Sequence, residues 1–132
     1  MNTKRVMTAI LSSALLLACA SAPAEPETLQ QALAKRGYVI GDPVKRLHDY
    51  RINGWNNVDR KHVILTVGAS DRYLVSLRNP CDGLRSAEHL AFTTTVGKLT
   101  KFDKLFVRNP GGFVETCLVD TMHELKKAPG NA

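Results

Sequence analysis

The sequence lacks the short motifs that most often carry catalysis or metal binding. Its 132 residues contain no C-x-x-C, no H-x-x-x-H, no G-x-S-x-G and no glycine-rich phosphate loop. These absences argue against thioredoxin-type exchange, a zinc site of ordinary spacing and a common serine hydrolase. We therefore predict no catalytic residue, no metal site and no cofactor. The alternative is a small enzyme that uses surface carboxylates or histidines.

Acidic residues are also scarce, since 12 Asp and Glu stand against 18 Lys and Arg and give a formal net charge of +6. A basic excess can serve phosphate binding. Here, however, the basic residues lie singly or in pairs such as Lys35-Arg36 and Lys126-Lys127, with no long run. This scatter is typical of a solvated surface, so we predict no nucleic-acid partner. An anionic partner would instead be an envelope component or an acidic protein.

The apolar stretch near the N-terminus is too short to span a membrane. It runs from Val6 to Leu17, 12 residues, and would rise about 18 Å as a helix, whereas a bilayer core is about 30 Å thick. The stretch follows Lys4 and Arg5 and precedes small residues. This layout is typical of a secretory signal peptide, which we assign to residues 1–18.

The end of this segment predicts a lipid anchor. Residues 16–19 read LLAC, which is similar to the lipobox of bacterial lipoproteins and implies that Cys19 is acylated and becomes the mature N-terminus. Ordinary cleavage after residues 22–24, leaving a soluble periplasmic protein, is the alternative. Ala20 stands where Asp would hold a lipoprotein in the inner membrane. We therefore expect the chain on the periplasmic face of a membrane in the cell envelope, the outer membrane rather than the inner.

The rest of the chain is long enough for one small domain. Removing residues 1–18 from the 132 leaves 114, enough for a single core. Residues 19–27 would form the lipidated cysteine and a Pro-rich flexible tether with a reach of about 20 Å. We place a β-rich domain at 28–127 and a disordered tail at 128–132.

Two short helices are predicted at the ends of this domain. In the first, Thr28 and Gln31 form a capping box, and Gly37 can take the left-handed position after the C-terminus. In the second, Thr121 and Glu124 have the same spacing within DTMHELKK, and Lys126-Lys127 favour a helix C-terminus.

Between these helices, alternating apolar residues and turn residues predict about six short strands. No βαβ rhythm is present, which favours a mainly β, α+β fold: a small antiparallel sheet curled into a barrel or roll. Two of the strands would form a hairpin across a four-residue loop, Gly68–Asp71. The predicted strands cover residues 49–55, 62–67, 72–77, 89–96, 104–108 and 113–119.

Of the three cysteines, lipidation would use Cys19, which leaves Cys81 and Cys117 in an oxidising compartment. Two thiols in a small exported domain usually pair, so we predict a disulfide between them. The alternatives are a nucleophile or a metal ligand, and the sequence offers neither with the neighbours that those roles need.

One set of residues and motifs runs through the predicted domain: Trp55, Val58-Asp59, HVILTV, YLVSL, Cys81, Leu84, Ala87, Phe102-Asp103, Cys117, Val119, Met122 and Leu125. Together they are similar to a group of small proteobacterial envelope proteins, catalogued only as a domain of unknown function. The similarity covers roughly residues 38–126 and implies that Cys81 and Cys117 are the two family cysteines, with Trp55 and Asp103 as further marked positions. It implies no activity.

A short pattern that occurs twice in the sequence suggests a ligand patch. LRNPCDG and VRNPGG both end a strand with Arg-Asn-Pro, so Arg78 and Arg108 could form a basic patch if the two turns share one end of the sheet. We group them with Trp55 and Asp103 as a candidate site.

The function that we expect is a non-catalytic binding or structural module of the envelope, held to the membrane by its lipid. The alternative is a periplasmic inhibitor of a cell-wall hydrolase.

Overall fold

The computed structural model describes residues 26–48, 51–93 and 97–129. The predicted signal peptide, Cys19, most of the tether and the end of the tail lie outside these ranges. The elements, in chain order, are α1 (Leu29–Lys35), β1 (Tyr38–Pro43), β2 (Arg46–His48), β3 (Ile52–Asn57), β4 (His62–Val67), β5 (Asp71–Leu77), a 3₁₀ helix (Asp82–Ser86), β6 (His89–Phe92), β7 (Lys98–Thr100), β8 (Lys104–Arg108) and β9 (Val114–Lys127).

The strands build a curled antiparallel sheet in the order β3-β4-β5-β9-β8-β6, with β1 as a further partner of β9. Its curvature gives a half-barrel, with β3 and β6 as the ends of the strand path. The remaining pair, β2 and β7, forms a small separate ladder. The prediction of a mainly β fold with a curled antiparallel sheet is therefore confirmed.

Strand β9 is the centre of this sheet. Its residues 119–125 pair with β5 along one edge. Its other edge pairs twice, with β8 at 114–118 and with β1 at 123–127. A strand of 14 residues therefore serves two partners on one edge and leaves a gap between them.

Each face of the sheet covers a separate apolar cluster. The inner, concave side holds the larger one, which includes Val63, Leu65, Val75 and Met122. On the outer side, α1 inserts Leu33 over a smaller cluster. That cluster consists of Leu33, Ile64, Leu74 and Leu125. Because both faces are covered here, β4 is buried at consecutive positions instead of alternate ones.

The first predicted helix is confirmed. The Thr28 hydroxyl accepts the Gln31 N–H at 3.2 Å, and the Gln31 side chain accepts the Thr28 N–H at 3.0 Å. Gly37 takes a φ of 83° directly after the helix, a conformation that glycine adopts without strain. Within the described ranges, no helix has the length and apolarity that crossing a membrane requires.

The predicted C-terminal helix is wrong, because residues 120–127 continue strand β9. The apparent helical spacing of Val119, Met122 and Leu125 has a different origin. A bulge at position 120 shifts the register against β5, so that Val119 and Met122 both face the inner cluster although they are three residues apart. Leu125 faces the opposite side, under α1. Burial on both faces of a bulged strand therefore produced the same residue spacing as the apolar face of a helix.

The strand predictions at 62–67 and 104–108 are confirmed, and the one at 72–77 gains a residue at its start. The hairpin loop has three residues, 68–70, because Val67 pairs directly with Asp71. Strands β1, β2 and β7 were not predicted, since two of them have only three residues and β1 contains Gly41 and Pro43.

The predicted disulfide is confirmed: Cys81 and Cys117 are bonded, with their Cα atoms 6.0 Å apart. Both cysteines are buried within the inner cluster. The bond ties the start of the 3₁₀ helix to β9 across 36 residues of chain. It therefore closes a loop that contains β6, β7 and β8.

Replacing both cysteines with Ala should lower the free energy of unfolding by about 4 kcal/mol, because the bond restricts the unfolded chain most when the loop is long. Urea unfolding followed by circular dichroism measures the difference. Ser70→Ala, in the exposed hairpin loop, is the control and should change the value by less than about 0.5 kcal/mol. Two free thiols in the purified, unreduced chain would contradict the assignment.

Candidate functional site

A cleft opens at the gap along β9, between β8 and β1. On one side the Val119 N–H donates to the Asp103 carbonyl oxygen at 3.2 Å, and on the other the Val44 N–H donates to the Met122 carbonyl oxygen at 2.9 Å. The cavity beside this gap has a volume of about 700 Å³, within the range of small-ligand sites. Its lining residues are Pro43, Val44, Lys45, Arg46, Thr100, Lys101, Phe102, Asp120, Thr121, Met122 and His123.

Buried Asp103 shapes one wall of the cleft. Its carboxylate accepts the Thr100 N–H at 2.6 Å and the Thr100 hydroxyl at 3.0 Å. Its own N–H donates to the Thr100 carbonyl oxygen at 3.1 Å, which closes a turn between β7 and β8. Lys101 and Phe102 occupy the two central positions of that turn. The predicted site residue Asp103 therefore positions a site wall through its hydrogen bonds.

The wall that Asp103 positions carries an exposed aromatic ring and a cation. The Phe102 side chain is 78% exposed, and the Lys101 Nζ atom lies 5.2 Å from its ring centroid, within cation–π range. Lys45 and Arg46 add two exposed cations from the β1–β2 side. Asp120 is the acidic member of the lining. The cleft therefore combines apolar walls with an excess of positive charge.

Arg78 and Arg108 lie at different places along β9. The Arg78 N–H donates to the Leu118 carbonyl oxygen at 3.0 Å, whereas Arg108 pairs with Val114. Four residues of β9 separate these points, a distance of about 13 Å along a strand. Both arginines are exposed, but the register does not bring them into one compact patch.

Trp55 is on β3 and is not among the residues that line the cleft. It pairs with Leu65 on β4 and packs, half-buried, against the inner cluster. Tyr73, opposite Leu65 on the other side, packs against the same cluster. The pKa of Tyr73 is raised above 10.0, mainly because burial disfavours the phenolate; nearby Asp71 and Glu124 raise it further, and Arg51 lowers it. Both rings thus have surroundings typical of core residues.

A second polar cluster surrounds the disulfide. The Glu115 carboxylate accepts the Gly83 N–H at 2.7 Å and the Asp82 N–H at 3.3 Å. A side chain at Gly83 would displace the ends of two side chains, because its Cβ would lie 2.7 Å from the Asn109 Nδ2 atom and 2.9 Å from the Glu115 Oε2 atom. Arg60 also pairs with Asp82. These contacts fasten the 3₁₀ helix to β9 next to the disulfide.

The same cluster contains the metal-ligand group found among the described residues. The Sγ atoms of Cys81 and Cys117 and a carboxylate oxygen of Glu115 lie within 4.8 Å of one another. However, the two sulfurs are bonded to each other, and a disulfide offers no thiolate to a metal. The group therefore fits a structural role.

His62 also has a structural partner. Its Nδ1 atom lies 2.7 Å from Asp59 Oδ1, and the same oxygen accepts the Lys61 N–H at 2.7 Å. The N–H groups of Val58 and Asp59 point back to the His62 carbonyl oxygen. Asp59 thus organises the turn between β3 and β4, where Asp is a favoured residue.

A family model matches residues 2–129, almost the entire chain, and its description is Family of unknown function (DUF6491). The chain belongs to this family. The similarity inferred from the sequence is therefore confirmed as far as a domain of unknown function, while the proteobacterial envelope setting stays a prediction. Searches of the curated proteins and of the solved structures found no match.

For this DUF6491 chain, sequence reasoning missed most of the cleft. Asp103 and its neighbour Phe102 were noticed, but Lys45, Arg46 and Lys101 were counted as scattered surface charge. Strands β2 and β7 carry or adjoin these residues, and they pair residues as far apart in the sequence as Arg46 and Thr100, which are 54 positions apart. The local signal available in the sequence was the segment Thr100–Asp103, in which Lys101 and Phe102 stand between a Thr and an Asp that can close a turn.

Replacing Asp103 with Ala should lower the free energy of unfolding by about 1–3 kcal/mol, because the Thr100 N–H and hydroxyl lose their acceptor. Chemical denaturation measures this loss. Asp42→Ala is the matched control: its side chain is 84% exposed and its ion pair with Lys126 spans 3.9 Å, so the expected change is at most about 1 kcal/mol. Equal effects of the two substitutions would contradict the structural role of Asp103.

Proposed function

We propose that the chain is a lipid-anchored binding module of the cell envelope and that the cleft beside β9 is its binding site. The observation that carries this proposal is the cleft itself: about 700 Å³ of space at the place where one edge of β9 has no strand partner between β8 and β1. A pocket of this kind, with apolar walls and a few converging polar groups, is the usual form of a ligand site.

The lining favours a partner with an apolar group next to a negative charge. Phe102 and Met122 offer apolar contact, and Lys45, Arg46 and Lys101 offer cations. Aromatic residues, Met and Arg, which the lining contains as Phe102, Met122 and Arg46, are enriched at binding surfaces. An envelope protein that presents an acidic and apolar segment would meet these requirements.

Three carboxylates that contact turns and the 3₁₀ helix support a non-catalytic role. Asp103 accepts two hydrogen bonds within the β7–β8 turn, Glu115 holds the start of the 3₁₀ helix, and Asp59 pairs with His62 in a turn. Each of these acids is engaged in holding local structure. General acid–base catalysis needs instead a group placed where a substrate can reach it.

Cys19→Ala should release the chain from the membrane fraction, because the lipid that Cys19 would carry is the expected attachment to the membrane. Fractionation of cells followed by immunodetection measures the change, and the mass of the purified chain reports acylation. Ser21→Ala, two residues along the proposed tether, is the control and should leave the chain membrane-bound. A Cys19→Ala chain that stays with the membranes would contradict the anchor.

A photo-crosslinking residue in place of Phe102 should capture a specific envelope protein in intact cells. Phe113 has the same 78% exposure at the opposite end of β8, so a crosslinker there is the matched control. Adding Arg46→Glu and Lys101→Glu should abolish the Phe102 adduct by reversing the charge of the cleft.

The identity of the captured protein decides between the functions. A cell-wall hydrolase in the adduct would favour the inhibitor alternative for the same cleft. Identical adducts from both positions, or none from position 102, would contradict the assignment of the cleft as the binding site.

A further inference from the structure

Half of the outer face of the sheet is left uncovered by α1. Strands β6, β8 and the first part of β9 alternate between the inner cluster and the outside, since Leu105, Val107 and Cys117 are buried within that cluster. The alternate residues therefore point outward. The outward positions of these three strands are His89, Ala91, Lys104, Phe106, Arg108, Val114, Thr116 and Leu118.

None of these outward positions is acidic, and two of them are basic. Arg78 adds a third cation: Leu77 faces the inner cluster, so Arg78 takes the outer side, and its N–H bonds to the Leu118 carbonyl oxygen. Glu115 lies within this part of β9, but it pairs with the inward-facing Val107 and accepts the Gly83 N–H on the inner side. Glu88 before β6 and Asp120 at the bulge lie at the margins of the outer side. The two arginines predicted to act together thus belong to one broad face, with Lys104 also on it.

Apolar side chains lie between these cations. Val114 is 60% exposed and Leu118 is 38% exposed. At the adjoining turn, the Phe113 side chain is 78% exposed. The turn holds its shape through the bond from the Asn109 N–H to the Phe113 carbonyl oxygen at 3.0 Å. We call this surface, formed by the outward positions together with Arg78 and Phe113, the outer basic face.

We propose that the outer basic face rests on the anionic surface of a lipid bilayer. Three cations around exposed aliphatic and aromatic side chains match an interface that is negative at the headgroups and apolar just below them. The outward positions of β6, β8 and the first part of β9 lie side by side on the outer side of the curled sheet, so several of them can contact such a surface together. The inference rests on the proposed lipid anchor, because the anchor would hold the domain close to the bilayer.

The position of α1 agrees with this orientation. The helix packs on the outer side of the sheet through Leu33, and the proposed tether enters it at Thr28. The tether therefore joins the domain on the same side as the outer basic face. With a reach of about 20 Å, it would keep the face within range of the membrane, where each basic residue strengthens binding by about fivefold.

Fluorescence of an added tryptophan tests the orientation. The purified full chain carrying Phe113→Trp is placed in vesicles of phosphatidylcholine and phosphatidylglycerol in equal parts, some with brominated acyl chains that quench tryptophan. Ala69→Trp, in the exposed loop 68–70, is the control reporter. The native Trp55 is common to both chains. We expect severalfold more quenching for the tryptophan at position 113, because bromine on the acyl chains quenches only a ring that reaches into the bilayer.

Charge reversal completes the test. Arg78→Glu, Lys104→Glu and Arg108→Glu together should bring the quenching at position 113 down to that of the Ala69 reporter. Reversal of Arg51, Lys61 and Arg85, which are exposed elsewhere, changes the net charge equally and should have no such effect. Raising the salt from about 0.1 M to about 1 M should also weaken the quenching, since the screening length falls from about 10 Å to about 3 Å.

Two results would overturn the proposal: equal quenching of the two reporters, or quenching at position 113 that is the same in vesicles of phosphatidylcholine alone. The mass of the purified chain reports separately whether Cys19 is acylated. An acylated chain without quenching at position 113 refutes the outer basic face and leaves the anchor standing. An unacylated chain that still shows anionic-lipid quenching refutes the anchor and retains the face.

Discussion

The pairing of β9 is the constraint on which the other features depend. One strand of 14 residues must satisfy β5 on one edge and both β8 and β1 on the other. The two partners on the shared edge leave residues 119–122 without a complete neighbouring strand, and the cleft forms there. The bulge at Asp120 keeps the apolar residues on the correct faces on either side of the gap. Without it, Met122 would face the outside and Leu125 the inner cluster.

The sequence predicted those elements whose signals are local. The capping box of α1 needs Thr28 and Gln31 three residues apart, and both are visible in the sequence. The strands at 62–67 and 104–108 contain short apolar runs bounded by turn residues. The cysteine pair could be inferred from their number and the expected compartment, although 36 residues separate them.

The incorrect and missed predictions have a common physical origin. Each depends on which residues tertiary structure brings together or buries, and a local sequence pattern does not contain that information. The spacing of Val119, Met122 and Leu125 fits a helix equally well as a bulged strand covered on both faces. The cleft depends on the pairing of β2 with β7 and on the gap in β9, and neither leaves a local pattern. Charge scattered along the sequence was read as uniform solvation, yet the sheet register places Arg78, Lys104 and Arg108 on one face.

The two proposed surfaces fit together because they occupy different parts of the sheet. The outer basic face lies over β6, β8 and the first part of β9, while the cleft opens at the gap farther along the same strand. With the outer basic face against a bilayer, Phe102 and Lys101 would stand at the opposite end of β8 from Phe113, about 17 Å or more away by strand length. Strand β9 would then contribute its first part to the lipid contact and its residues 119–122 to the cleft. A rigid central strand, fixed by the disulfide at Cys117, would thereby set the orientation of the binding site relative to the membrane.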